Sequence, residues 1–348
     1  MKASLQTLLT AATRAPSGDN MQPWRFMVDE AAGVITFFVD ETRDSSPMNV
    51  NQLMARVAIG AGVENLLRTA RNNGWTVNLE EAQPPAVARV CLPDVSEGAG
   101  VIENAIGARV TNRRYYDGRP IPSEVHRCLT EATPPLEGVV TNWITDRDRR
   151  MGLAALMGRS DALLFSQRSM RAAFLANIRF DQPPDAEVEI GLPLASLEAS
   201  RGERMALRLL PWIPSFLVKC SAQFVFGSHA RKLVESASGL CLIVAPDHDE
   251  SAYLLVGRAM QRAWLALAEA GLAVQPMMSM PVLETIARFA SPELLASIGR
   301  EKLAALAEDS RRLVPEIGAG RPGFLLRFGF AANPSGRTGR LPWQVSLK

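Results

Sequence analysis

Two stretches of this chain repeat one pattern at a fixed separation, and that limits the folds open to it more than any other feature. Gly60-Ala61-Gly62-Val63-Glu64-Asn65-Leu66-Leu67 runs on to Gly74-Trp75-Thr76-Val77, and Gly257-Arg258-Ala259-Met260-Gln261-Arg262-Ala263-Trp264 runs on to Gly271-Leu272-Ala273-Val274. Gly60 and Gly257 are 197 residues apart, and so are Gly74 and Gly271. Each stretch reads as a long apolar helix with small residues near its start, closed by a glycine suited to a left-handed C-cap. A glycine or alanine early in each helix lets another helix or a ligand come close.

The flanks agree. Val34–Val39 precedes the first helix and Leu240–Val244 the second; Val87–Leu92 follows the first and Phe324–Gly329 the second. All four runs have strand composition. The pattern predicts two α+β units, about residues 1–95 and 100–348, joined by Pro93 to Gly100. Chance likeness of two alanine-rich helices is the competing reading, and the matching strands count against it.

Two segments have no counterpart in the first unit. Residues 151–235 are rich in arginine and methionine and end in the apolar, proline-broken run Leu209-Leu210-Pro211-Trp212-Ile213-Pro214-Ser215-Phe216. This insertion reads either as a lid over a pocket or as a helical hairpin packed on the core. Residues 283–320 read as one or two amphipathic helices with Arg300, Glu301, Lys302, Glu308, Arg311 and Arg312 outward.

Composition narrows the function classes. A chain that is 47% apolar and 21% charged has the balance of a globular protein. A formal charge of +2, with scattered arginines and no basic block interleaved with aromatics, argues against a nucleic-acid partner. No run approaches the ~20 apolar residues of a membrane span, so no membrane partner is expected. Leu5, Leu8, Leu9 and Ala12 follow helical spacing, which predicts a packed first helix rather than a signal sequence. Cys91, Cys128, Cys220 and Cys241 are too dispersed for a zinc site or disulfide framework and fit a reducing, cytoplasmic setting. His126, His229 and His248 lack metal-ligand spacing and read as surface residues, with no metal expected. Asp19, Asp117, Asp181 and Asp185 read as lone structural or solvated acids.

Chemistry concentrates in four short segments. The first is Ala15-Pro16-Ser17-Gly18-Asp19-Asn20-Met21-Gln22-Pro23-Trp24-Arg25-Phe26, where a helix gives way to a polar loop and then to an apolar strand. Such a loop offers small donors and acceptors on a tight turn, suited to a flat polar ligand. The second is Arg109-Val110-Thr111-Asn112-Arg113. If extended, it places Arg109, Thr111 and Arg113 on one face, two guanidiniums flanking a hydroxyl, which is a receptor for a phosphate dianion. Gln275-Pro276-Met277-Met278-Ser279 follows the second long helix, and Arg337-Thr338-Gly339-Arg340-Leu341-Pro342 lies in a glycine-rich tail.

The first loop resembles the flavin-contacting Pro-Ser-x-x-Asn-x-Gln-Pro-Trp-x-Phe segment of the nitroreductase superfamily. The arginine segment resembles that family's Arg-x-Ser-x-Arg/Lys-x-Phe motif, with Thr111 in place of the serine. The resemblance implies FMN as cofactor, with Pro16, Ser17, Asn20 and Gln22 in the flavin loop and Arg109, Thr111, Arg113, Arg340 and, more weakly, Arg337 on its phosphate and ribityl chain. It also implies backbone donors from Pro276, Met277, Met278 and Ser279 beside the reactive nitrogen and pyrimidine edge. Where many members carry a glutamate-glycine pair this chain has Met278-Ser279, which leaves substrate preference open.

In homodimeric members one subunit gives the arginines and the other the asparagine loop. Here the loop sits only in the first unit and the arginines only in the second. The resemblance therefore implies a tandem duplicated nitroreductase-like fold forming an intrachain pseudo-dimer with one complete flavin site, as in the duplicated Acg-type branch. Antiparallel-rich sheets packed with long central helices are expected, in a monomer or a homodimer. The implied activity is oxidoreduction, with hydride passing from NAD(P)H through FMN to a small electron-poor or aromatic acceptor. The alternative is an FMN-storage protein with its flavin sealed by the insertion. A third reading is a tailoring enzyme acting on a larger metabolite or peptide. No catalytic side chain is required, because the flavin carries the redox step.

Overall fold

The computed structural model describes residues 1–183, 188–246 and 250–347; Asp185 and His248 lie outside the described residues. The chain begins with α1 (Ala3–Thr13), which buries Leu5, Leu8, Leu9 and Ala12 as their spacing predicts. A hairpin of β1 (Trp24–Asp29) and β2 (Val34–Val39) leads to α2 (Leu53–Asn72), β3 (Thr76–Glu80) and β4 (Ala86–Asp94). After α3 (Asn104–Ala108) and α4 (Ser123–Ala132) comes β5 (Val140–Ile144). Then follow α5 (Arg147–Phe165), α6 (Arg168–Ala176), the short β6 (Ile178–Arg179) and β7 (Leu192–Pro193), α7 (Arg201–Leu209), α8 (Ser215–Ala222) and α9 (Ser228–Glu235). The chain continues through β8 (Gly239–Ala245), α10 (Glu250–Glu269), β9 (Ala273–Pro276), α11 (Ser279–Phe289), α12 (Pro292–Ile298) and α13 (Arg300–Leu313). It closes with β10 (Arg321–Gly329) and β11 (Val345–Leu347).

The architecture is α+β. One sheet has the order β11-β1-β2-β4-β3 and a second β5-β8-β10-β9, and within these two every neighbouring pair is antiparallel except β1 with β11; β6 and β7 form a short parallel pair of their own. Without β11 the two sheets correspond strand for strand and in chain order, each with its long helix, α2 or α10, between the second and third strands.

Those two helices lie against each other through their glycines. A Cβ on Gly60 would sit 2.0 Å from the Leu254 carbonyl oxygen, and one on Gly257 would sit 2.0 Å from that of Val57. Leu254 follows Val57 by the same 197 residues that separate the glycines, so one contact occurs twice with its partners exchanged. Beside it, Glu64, only 2% exposed, accepts from Arg258 Nε at 3.1 Å and Arg262 Nε at 2.6 Å. Gln261 Nε2 donates to Asn65 Oδ1 at 2.7 Å. Both helices end alike: Gly74 has φ of 69° and Gly271 of 70°, with Trp75 N–H on Ala70 O and Leu272 N–H on Leu267 O, each at 2.9 Å.

Neither the core nor the sheets stop at the join between the two stretches. Residues 1–95 and 100–348 share one continuous core, in which Leu66 and Phe37 pack with Trp264 and Phe328. β11 crosses to the first sheet, pairing Phe26 with Val345, because the open edge of β1 supplies unpaired backbone donors and acceptors. Nor is 151–235 a lid throughout. Leu153, Leu156 and Met157 of α5 and Leu233 and Val234 of α9 are buried with β8 in a second core. Only the middle of the insertion overhangs. The 283–320 segment forms α11 to α13, with Leu303 and Leu306 inward. No helix among the described residues is long and apolar enough to cross a membrane.

Candidate functional site

A cavity of about 690 Å³ opens where α2, α10, the first loop and the C-terminal tail meet. Its size suits a cofactor or a small ligand. Twelve of the thirteen residues singled out above line it: Pro16, Ser17, Asn20, Arg109, Thr111, Arg113, Pro276, Met277, Met278, Ser279, Arg337 and Arg340.

Gln22 is the exception. It is buried behind the loop, where Nε2 donates to Glu189 O at 2.6 Å and Oε1 accepts from Leu341 N–H at 2.9 Å. The side chain holds the tail against the loop instead of facing the cavity. The loop itself is left-handed at Asp19, Asn20 and Gln22, with φ of 45°, 59° and 54°. Aspartate and asparagine tolerate that region better than most residues, while glutamine does so under strain. A bond from Gln22 N–H to Ser17 Oγ at 2.9 Å braces it, and Asn20 Nδ2 donates to Glu189 O at 2.9 Å.

The arginine segment runs extended beside β9. Asn112 N–H donates to Val274 O at 2.8 Å, and Thr111 bridges the same residue. Alternation then turns Arg109, Thr111 and Arg113 to the cavity, while Asn112 Nδ2 and Arg114 Nε turn away to Ala332 O and Asn333 O, at 2.8 and 3.0 Å. Arg113 donates to Ser196 O at 3.1 Å.

Charge collects around Arg109 and Arg340. Arg340 caps the end of α1, donating to Thr13 O and Ala15 O at 3.0 Å each, and reaches Asn20 Oδ1 at 2.8 Å. Arg109 donates to Arg14 O at 3.2 Å and lies over the Trp264 ring at 4.6 Å, but its Nε is buried without a partner. Burial first, and the Arg340 charge second, push the Arg109 guanidinium down to about 9. Burial and Arg14 push Arg340 down to about 10. Among the described residues no carboxylate ion-pairs with either. Guanidiniums do not shed their protons in proteins, so the shift reflects charge held out of water without a counter-ion, which an anion would relieve.

On the Pro276 turn, proline has no N–H and Met277 N–H bonds Leu325 O at 2.8 Å. That leaves Met278 and Ser279, at the start of α11, as the backbone donors the turn offers; the helix end favours negative charge there.

Several cavity residues escaped the sequence reading. Asp161 on α5 lines the wall and accepts from Ser279 Oγ; burial pushes its carboxyl up to about 7, against the lowering effect of that bond. Asp161 stands between the polar pair Arg159-Ser160 and the apolar run Ala162-Leu163-Leu164, so the sequence marks it only as a helix-surface acid. Asp44 is pushed up to about 6 by burial, opposed by the Ser46 N–H bond and reinforced by Asp19. Of the two readings, structural or solvated, Asp19 takes the structural one. It lines the cavity, accepts from Asn177 Nδ2 at 3.0 Å, and burial raises its pKa despite Asn177 and Arg113. Asp117 and Asp181 are exposed, as expected. His229 is exposed too, but on the cavity wall, 3.4 Å from Tyr115 OH.

No family model matches this chain. It is similar to an uncharacterized protein, MT1398, of Mycobacterium tuberculosis, at 26% identity over 343 residues, which cover 93% of this chain and 45% of that protein. The chain thus spans about half the length of the curated relative it matches. Among solved structures it is similar to the FMN-dependent nitroreductase NfnB of Mycobacterium smegmatis, in complex with NADPH, at 16% identity, 65% and 86% of the two chains and a TM-score of 0.35. A nitroreductase of Bacteroides fragilis with bound FMN gives 16%, 66% and 87%, and a TM-score of 0.32.

Proposed function

We propose that this chain is an FMN-dependent oxidoreductase of nitroreductase type, whose two corresponding units form an intrachain pseudo-dimer around one flavin site. The observation that carries the reading is the convergence of Arg109 and Arg340, neither ion-paired and one with an orphaned Nε, at a cavity that the Pro16–Asn20 loop also lines. The residues fit the group. Arg109, Arg340 and Thr111 would hold a phosphate through charge-assisted bonds. Met54, Val57, Ala58 and Met260 give apolar wall for a flat ring, and the Met278 and Ser279 N–H groups give it polar anchors. Bound FMN supplies the hydride transfer from NAD(P)H to a small electron-poor or aromatic acceptor; the protein supplies position, field and exclusion of water.

Pseudo-dimer geometry is supported by the exchanged Gly60/Leu254 and Gly257/Val57 contacts, which have the self-complementary form of a two-fold interface. The test has two stages. Titration of the purified chain into FMN should quench flavin fluorescence, and anaerobic NADPH or NADH should then bleach the flavin band. Absence of quenching would discard the reading. Quenching without bleaching, while dithionite still reduces the flavin, would leave binding and remove turnover.

A further inference from the structure

We infer that the strap formed by residues 201–227 docks on an anionic lipid surface. Its helical turns carry two apolar faces. Leu210, Ile213, Leu217 and Val225 turn to the cavity. A second stripe, Met205, Leu209, Trp212, Phe216 and Phe224, begins with steps of four, three and four residues and takes no part in the cavity wall. Trp212 is 84% exposed, Phe224 79% and Phe216 66%. Large contiguous apolar exposure of this kind marks an interaction surface.

Charge selects the occupant. The strap, residues 201–227, contains Arg201, Arg204, Arg208 and Lys219 against one acid, Glu203, with Arg208 also near Asp181. Glu203 is itself engaged at the start of α7, where its carboxylate accepts from Ser200 N–H. A second copy meeting this face across a two-fold axis would set the same cations against each other. An anionic bilayer takes both parts: aromatic and aliphatic side chains enter the headgroup boundary while Arg201 and Lys219 meet its charge. Trp212 has the ring chemistry favoured at that depth. The chain would lie on the membrane without spanning it, its cavity roof facing the lipid. This inference stands whether or not the cavity takes FMN.

The test pellets the full chain with vesicles of phosphatidylcholine, with and without phosphatidylglycerol, at low and high salt. Binding is expected with phosphatidylglycerol and should weaken with salt. The triple variant Trp212→Ser, Phe216→Ser, Phe224→Ser should bind at least ~10-fold more weakly. Arg201→Gln and Lys219→Gln should each lower affinity about fivefold, and these exposed positions leave the fold intact by circular dichroism. No pelleting with phosphatidylglycerol would overturn the inference, as would unchanged pelleting of the triple variant. So would a concentration-dependent dimer, seen by light scattering, that the triple variant abolishes.

Discussion

Asn20 and Arg340 are 320 positions apart in the chain and 2.8 Å apart in the structure, Arg340 Nη1 donating to Asn20 Oδ1. The bond joins a loop that follows the first helix to a tail that leaves the second sheet. Asn20→Ala should therefore act twice, removing a cavity polar group and releasing Arg340 from its place. FMN affinity measured by fluorescence quenching should fall by about 1.5–3 kcal/mol, or ~10–100-fold. An unchanged dissociation constant would rule out a site shared between the two units.

Arg109→Ala separates ligand binding from structure. The guanidinium has a buried Nε without a partner and a cationic neighbour in Arg340, so it stabilises the ligand-free fold poorly. Affinity for FMN should drop ~10–100-fold, while the melting temperature of the ligand-free protein stays level or rises. A large fall in that melting temperature would mean the residue is structural.

Gly60→Ala should be among the most damaging single-methyl additions. The new Cβ meets the Leu254 backbone oxygen at 2.0 Å, so α2 and α10 must part. Overpacking typically costs about 1–3 kcal/mol, and a backbone clash lies at the upper end. Urea denaturation of Gly60→Ala, Gly257→Ala and the pair together checks this. The double variant should lose less than the two single losses added, because one separation of the helices relieves both clashes.

Glu64→Ala should also destabilise strongly, by about 3–5 kcal/mol, since it strands Arg258 and Arg262 at a buried interface. Glu64→Gln retains an acceptor and should lose less. Equal stability of both variants and the parent chain, by thermal denaturation, would contradict the pairing.

Asp161 gives a pH dependence of defined sign. Its carboxyl titrates near 3.8 when unfolded and is pushed up to about 7 in the fold, chiefly by burial. Between those values the folded chain keeps a proton that the unfolded chain gives up, so this group lowers stability as pH rises from about 4 to about 7. Asp161→Asn should flatten that decline, and the variant should outlast the parent chain at neutral pH. Parallel stability curves across the window would show that Asp161 ionises normally.

The sequence made the repeated helix-and-strand pattern legible because close helix contact requires small residues at fixed places, and Gly60 and Gly257 advertise them. Alternation in Arg109 to Arg113 was readable for a similar reason: an extended chain permits only two directions. The motif gives Gln22 its residue type but not its side chain's direction, and the amide turns to Glu189 and Leu341. Asp161 and Asp44 were missed because they belong to no motif, and their pKa values arise from burial by segments distant in sequence. The choice between lid and packed hairpin for 151–235 is not legible because α5 and α9 bury their apolar faces against β8, a partner that local sequence does not announce.

Pairing of Val345–Leu347 with the first hairpin has a bearing on synthesis. During translation this hairpin emerges well before its parallel neighbour, since Phe26 and Val345 are 319 positions apart. Arg340, a few residues ahead of that neighbour, reaches Asn20 only after the intervening segment has been made. Closure of this cavity thus waits for Arg340, and a nascent chain stalled before it would carry the loop without its anchoring arginine.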